Sequence, residues 1–476
     1  MVKKITPLEV YKLLPRLNCG KCGEKTCMAF ASKLIEREAE LEQCEPLVKD
    51  PKYRKNYEKL KELLRPPVKD VVIGVKPYAI KIGGEDVVYR HEKTWRCPTA
   101  LALDVADTMS DEEIEKRVKF VNEFYYERIG KKLTLDMIAI RCASNDPKRF
   151  VEVVKKVADL TNKPLMLCTL NPKIMEEALK VVGDRRPLIY AATPENWKDM
   201  ARLAIQYNCP LVVSAPGDLS ALKSIAGTLR RELKFEDIVL DPGTFPDDIG
   251  IAETISTFTL LRYAAIYYDD LDVGFPLLAI PATVWLKPDV NENVTKMREA
   301  IYAAMLISRY ADIMVLHTAD PWALIAILAL RDCLYTDPRV PPSVKPGLYR
   351  VGEPNENSPL LVTSNYALTF SLVKSDIERG KISAWLLVID TEGTSVESAV
   401  AGRKFTAEKI AEAVKEHNLD KIVKHKSIII PGKAARIAGE LEDLLKDWRI
   451  FVGPRESSDL PKYIKEVWAK EVGVAV

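Results

Sequence analysis

The chain has 476 residues, 47% hydrophobic and 29% charged, with 70 Lys and Arg against 68 Asp and Glu for a formal charge of +2. This composition excludes a disordered or collagen-like polypeptide, and the absence of a basic block argues against a nucleic-acid partner. The start, MVKKITPLEV, has no apolar signal core, and apolar stretches such as Trp322 to Leu330 are too short to span a bilayer. A cytoplasmic protein without a membrane partner is expected, so its nine cysteines read as thiols, ligands or redox groups and not as a disulfide framework.

In chain order, residues 1–65 form a small charged, helical module that ends in the breaker Arg65-Pro66-Pro67. Its pattern predicts one helix running from about Thr26 out to Cys44. Residues 66–95 are a connector with alternating runs, VVIGV and DVVYR, around Gly83-Gly84. Residues 96–335 carry eight apolar runs: Leu101–Val105, Asp136–Cys142, Pro164–Leu170, Pro187–Ala192, Pro210–Ala215, Asp237–Asp241, Pro276–Pro281 and Asp312–His317. Helical patterns such as RFVEVVKKVADL and NWKDMARLAIQY fill most gaps. Strands apolar on both faces at this period predict a (β/α)8 TIM barrel. Residues 336–358, rich in Pro and Gly, read as a linker. In 359–476 strands near 360–363, 384–390, 427–430 and 449–452 alternate with helices, predicting a doubly wound, Rossmann-like α/β domain.

The most specific motif is Cys19-x2-Cys22-x4-Cys27, with Cys44 further on. Gly20 and Gly23 follow the first two cysteines, where a loop around a cluster needs unusual backbone angles. Three close thiolates and one remote thiolate suit a cubane better than structural zinc, which usually takes two tight pairs. Spacing alone does not fix the nuclearity. The other five cysteines are isolated, and Cys142 and Cys168 read as core thiols.

The runs LNCGKCGEKTCMAFASKLIEREAELEQCEPL, GGEDVVYRHEKTW, TSNYALTFSLV, DTEGTSVESAVAGRKF and PGKAARIAGELE resemble the large (gamma) subunits of the corrinoid iron-sulfur protein family, found in archaea within the acetyl-CoA decarbonylase/synthase complex. The resemblance covers all three segments in order. It implies a [4Fe-4S] cluster on Cys19, Cys22, Cys27 and Cys44, a central barrel and a C-terminal cobamide-binding domain. Here Glu45 stands between the fourth cysteine and Pro46, where the family pattern has proline directly after the cysteine. The implied partners are a smaller barrel (delta) subunit in a heterodimer, acetyl-CoA synthase, and a methyl-tetrahydropterin or its methyltransferase. The implied activity is that of a methyltransferase component: Co(I) takes a methyl group from an N5-methyl-tetrahydropterin, and the methyl-Co(III) product donates it to the acetyl-CoA synthase metal centre.

No D-x-H-x-x-G run is present, so the expected cobamide is base-off, without a histidine under cobalt. His417 and His425 read as solvated surface. Open α/β sheets hold ligands at strand ends. By resemblance Thr363 and Thr369 flank the first such turn and Gly393, Thr394, Ser395 and Val396 form the second; Gly432 and Gly453 open the third and fourth on geometric grounds. In the barrel, Asn145, Asp146, Asp241 and His317 stand at C-terminal strand ends, where barrel enzymes place chemistry. Two alternatives follow: an electron-transfer and docking subunit without cobamide, or a barrel methyltransferase that binds the pterin itself.

Overall fold

The computed structural model describes residues 5–474, which divide into two compact units. The first comprises the chain through Tyr125 and Thr134–Tyr335; the second comprises Tyr126–Leu133 and the chain from Thr336.

In the first unit β1 (Asp70–Ile73) and β2 (Ile80–Gly83) form an antiparallel hairpin. The parallel strands β3 (Ala100–Ala106), β6 (Met137–Arg141), β7 (Leu165–Cys168), β8 (Leu188–Ala192), β9 (Leu211–Ser214), β10 (Ile238–Asp241), β11 (Leu278–Ala279) and β12 (Ile313–Leu316) make one eight-stranded sheet. All eight predicted strands are present. The sheet runs β10-β9-β8-β7-β6-β3-β12-β11, and the Leu240 N–H donates to the Pro276 carbonyl at 2.8 Å, bringing its two edges together as a nearly closed barrel. The predicted connector carries the β1–β2 hairpin. Val71, Ile73 and Ile82 join the barrel-interior residues Ala102, Met137, Leu188 and Val239 in one apolar core. The hairpin thus packs apolar surface onto the barrel at the amino-terminal ends of its strands, where Gly74 N donates to the Arg186 carbonyl and Lys69 N to the Gly274 carbonyl. Gly83 is needed there, because its φ is +74° and a Cβ would lie 2.5 Å from the Lys69 carbonyl oxygen.

In the N-terminal module the predicted long helix is interrupted. It spans Cys27–Glu36, stops at Arg37 in the left-handed region, and is followed by a short turn at Leu41–Gln43 and a helix at Glu45–Lys49. The physical reason is distance. An unbroken helix from Cys27 to Cys44 would carry the two thiols about 25 Å apart, whereas the reversal at Arg37 returns Cys44 to the others.

The second unit holds all but the end residues Tyr125 and Thr134 of a hairpin of β4 (Tyr125–Arg128) and β5 (Lys131–Thr134), and a five-stranded sheet ordered β13-β15-β14-β16-β17. Its strands are β13 (Gly347–Val351), β14 (Leu360–Ser364), β15 (Ala384–Ile389), β16 (Ser427–Ile430) and β17 (Arg449–Val452). The last four are parallel and match the predicted runs; β13, within the stretch read as a linker, adds an antiparallel edge. Separate apolar clusters cover the two faces, one around Phe405, Ile410 and Leu441 and one around Phe370, Ile377 and Trp468. The parallel strands have the order second-first-third-fourth, so the direction in which strands are added to the sheet reverses between β14 and β16. A ligand crevice belongs beyond their carboxyl ends.

Candidate functional site

Cys19, Cys22, Cys27 and Cys44 line one small cavity together with Pro15, Asn18 and Phe30. Cys27 is the first residue of its helix. Thr26 caps that helix by accepting from Ala29 N at 3.1 Å, and the Asn18 side-chain oxygen accepts from Cys27 N at 2.8 Å. Asn18 N in turn donates to Cys27 Sγ at 3.4 Å. Gly20 and Gly23 have φ of +71° and +89° with open space where a Cβ would be, so backbone conformation and not crowding selects glycine. Cys27 and Cys44 are buried while Cys19 is exposed, giving the cavity one solvent-facing edge. Burial pushes the Cys44 thiol up, and Cys22, Cys27 and Cys19 add to the effect. Four thiolates so placed repel one another unless a cation group lies among them. Among the described residues no three His, Cys, Asp or Glu side chains converge to hold a single metal ion, so the four sulfurs line a shared space and do not close on one point. The donor set, four sulfurs around a common space with a loop of amides beside it, fits an iron-sulfur cluster.

At the predicted crevice of the second unit lies a cleft of about 190 Å³. Leu361, Val362, Ile429 and Ile430 form its floor, Leu372 and Val373 one wall, and Lys433, Arg455 and Glu456 its polar rim. Of the residues expected from sequence, Thr363, Thr369, Ser395 and Val396 line it, and Gly393, Thr394, Gly432 and Gly453 do not. Thr394 Oγ1 donates to Thr391 O within its own turn at 2.7 Å. Gly432 lies where a Cβ would be 2.6 Å from the Gly453 carbonyl oxygen, so that pair packs the third turn on the fourth. Gly393 has φ of +70° and donates its N–H to the Asn365 side-chain oxygen at 3.0 Å. Asn365, which sequence reasoning missed, also accepts from Thr391 N at 2.9 Å and so ties the ends of β14 and β15 together. Its position directly after a buried apolar strand was the available signal.

Thr363 is 1% exposed and its Oγ1 has no hydrogen-bond partner, although it borders the cleft. Burying a hydroxyl without a partner costs about 1–3 kcal/mol, so a ligand atom that accepts there recovers what the fold leaves unmet. Among the described residues no histidine lines this cleft. His425 precedes β16, at the far end from the cleft. It is half-buried and not solvated, bonded through Nε2 to the Ser358 carbonyl at 3.0 Å and through Nδ1 to Ser427 Oγ at 2.7 Å.

In the barrel, Asp146 caps the helix Pro147–Leu160, accepting from Lys148 N at 2.9 Å, and Asn145 has φ of +56°. Asp241 is 1% exposed and accepts from Tyr190, Ser214 Oγ and Gly243 N at 2.8–3.0 Å; burial raises its pKa. That carboxylate is fully engaged inside the fold. His317 lies beside a cavity and is described below.

The family model described as CO dehydrogenase/acetyl-CoA synthase delta subunit matches residues 70–464, and a family model named for an Fe-S cluster matches residues 14–46. The chain is 44% identical to acetyl-CoA decarbonylase/synthase complex subunit gamma 2 of Methanosarcina thermophila, over 97% of this chain and 98% of the relative. It is 43% identical to the complex subunit gamma of Methanothermobacter thermautotrophicus, over 98% of this chain and 99% of the relative. Among solved structures, dihydropteroate synthase from Thermus thermophilus is 17% identical with a TM-score of 0.38, over 56% of this chain and 99% of that one. The family carries a delta name and these relatives a gamma name, but the match spans barrel and α/β unit alike: the chain belongs to the CO dehydrogenase/acetyl-CoA synthase delta subunit family, CdhD.

Proposed function

We propose that this chain is a corrinoid iron-sulfur methyl carrier of an acetyl-CoA decarbonylase/synthase complex. The observation that carries the reading is the cleft at the β14–β16 switch point with the orphaned Thr363 hydroxyl, in a chain that also gathers four cysteines on one cavity. At about 190 Å³ the cleft is smaller than the roughly 300–1,000 Å³ that enclose a drug-sized ligand. It suits the nucleotide tail of a cobamide, with the corrin outside.

Thr363, Thr369, Ser395 and Val396 would hold the tail, and Lys433 and Arg455, at the rim, would pair with its phosphate. A bound cobamide supplies a cobalt centre that takes a methyl group from an N5-methyl-tetrahydropterin, tetrahydrosarcinapterin or a relative, and yields it to the acetyl-CoA synthase metal centre. Among the described residues no imidazole lines the cleft, which would favour a base-off cobamide there. Cys19, Cys22, Cys27 and Cys44 would hold a [4Fe-4S] cluster whose exposed edge at Cys19 admits an electron donor and restores oxidised catalyst. The partners in this role are a delta-type barrel subunit, acetyl-CoA synthase and the pterin donor or its methyltransferase.

Metal analysis with visible and EPR spectra should give about four irons and one cobalt per chain. Iron without cobalt in protein from a cobamide-supplied host would sink the carrier reading. Thr363→Val is expected to stabilise the cofactor-free chain by about 1 kcal/mol, because it removes an unpaired hydroxyl, while corrinoid retention on gel filtration falls about tenfold, the equivalent of one hydrogen bond of about 1.4 kcal/mol. Unchanged retention would remove Thr363 from the site.

A further inference from the structure

The barrel top contains a second polar centre that neither the cluster nor the cobamide cleft uses. Asp104, in β3, is 1% exposed, and its carboxylate is held by His317 Nδ1 at 2.8 Å, Arg117 Nη2 at 2.8 Å and Arg141 Nε at 2.7 Å. Although burial alone would raise it, His317 and the two arginines bring its pKa below the ordinary aspartate value. Buried Glu299 fixes the backbone on the other side, accepting from His317 N at 2.6 Å and Thr318 N at 2.9 Å, and from Trp285 Nε1 at 2.9 Å. Trp285 packs edge-on to His317 with ring centroids 4.8 Å apart. The imidazole is therefore set in angle and height: Nδ1 faces Asp104 and Nε2 is left for a ligand.

His317 borders a cavity of about 350 Å³ just beyond β12, within the roughly 300–1,000 Å³ of small-molecule sites. Phe120 and Trp285 give it aromatic walls, and the exposed ammonium of Lys116 stands on its border. Lys296, also on the border, is committed to Glu292 and Asp320, both at 2.7 Å. Glu113 is the remaining charged group facing the space, besides Arg117. Aromatic walls take a planar ring, the exposed Lys116 ammonium takes an acidic arm, and an aspartate-oriented imidazole moves a proton to or from a ring nitrogen.

We propose that His317, oriented by Asp104 as a positioning residue, is the proton-transfer residue for a planar nitrogen heterocycle with an anionic arm bound in this cavity. On the methyl-carrier reading, on which this identification rests, that heterocycle is the methylated pterin. Losing its methyl breaks a C–N bond, and both electrons of the bond stay on nitrogen. The methyl leaves to a reduced metal nucleophile that supplies the pair of the new bond. The nitrogen ends as a secondary amine carrying the proton from His317 Nε2, and the imidazole, left neutral, is reprotonated from solvent.

Calorimetric titration of the full chain with 5-methyl-tetrahydrofolate tests the site without reference to cobalt. Binding is expected in the native chain, with a tenfold or greater loss in both Trp285→Leu and Lys116→Ala. His317→Gln should bind within about threefold of native. In the cobamide-loaded protein His317→Gln should slow methylation by the pterin about 100-fold and abolish its decline at high pH, while methylation by methyl iodide, whose leaving group needs no proton, stays at the native rate. Asp104→Asn should reproduce the altered pH profile. Native affinity in both cavity variants, or a native pH profile in His317→Gln, overturns the proposal. Failure of methyl iodide to methylate the native protein would instead count against the carrier reading, and pterin binding would still decide whether the cavity is a ligand site.

Discussion

Replacing Cys27 with serine is expected to strip the N-terminal module of most of its iron while the barrel stays folded. Cys27 is 8% exposed and sits where the loop and the helix Cys27–Glu36 meet. Serine keeps the backbone N–H that Asn18 accepts from and leaves the Thr26 cap intact, so the change removes a soft sulfur donor and little else. An oxygen donor is a poor match for a cluster held by thiolates. Iron per chain should fall below about one and the broad brown absorption should vanish. Residues 5–65 should become more sensitive to protease, because a metal site contributes its binding energy to folding. Cys97→Ser is the matched control: Cys97 is half-buried, isolated and pushed up to about 12 by burial, and its loss should leave iron unchanged. Full iron in Cys27→Ser would remove that thiol from the ligand set.

The barrel and the four parallel strands of the α/β unit were legible because each strand is a short apolar run between helices of clear period. The edge strand β13 was not. Gly347 and the prolines before it read as a linker, and an edge strand needs only one hydrogen-bonded neighbour, here β15, which leaves little apolar signal. The hairpin at β4 and β5 is polar, YYERIGKKLT, and escaped for the same reason. In the candidate sites, residues close in sequence were readable: the cysteines by spacing, and Thr363 and Thr369 at a strand end. The glycines were read for ligand approach, whereas Gly432 is placed by packing on Gly453. The Asp104 centre was invisible as a unit. Its ties to Arg141 and His317 cross 37 and 213 residues, and they meet only because β3 pairs with β6 on one side and with the last barrel strand, β12, on the other.

The run GGEDVVYRHEKTW leads to the second large effect: Glu85→Gln is expected to stabilise the first unit above neutral pH. Glu85 is 5% exposed and accepts from Arg96 N at 2.9 Å and Cys97 N at 3.4 Å. Burial pushes its carboxyl up to about 7, against the opposing pull of Arg262 and with a further upward push from Asp312. A carboxyl raised in the folded state holds a proton that the unfolded chain has already released. Stability from this group is therefore complete below about pH 4.5 and declines as pH rises to about 7, by about 3 kcal/mol in all. Glutamine keeps an acceptor for both N–H groups and carries no charge, so its stability should lack that decline. Carboxylates with lowered values, such as Asp104, Asp86 and Glu236, impose the opposite slope. They are common to both proteins and cancel in the difference. Urea unfolding followed by hydrogen exchange across β1, β2 and β3 should show the two proteins nearly equal at pH 4.5 and the glutamine variant ahead at pH 8. A difference independent of pH would mean that Glu85 is ionised throughout, with Arg262 outweighing the cost of burial.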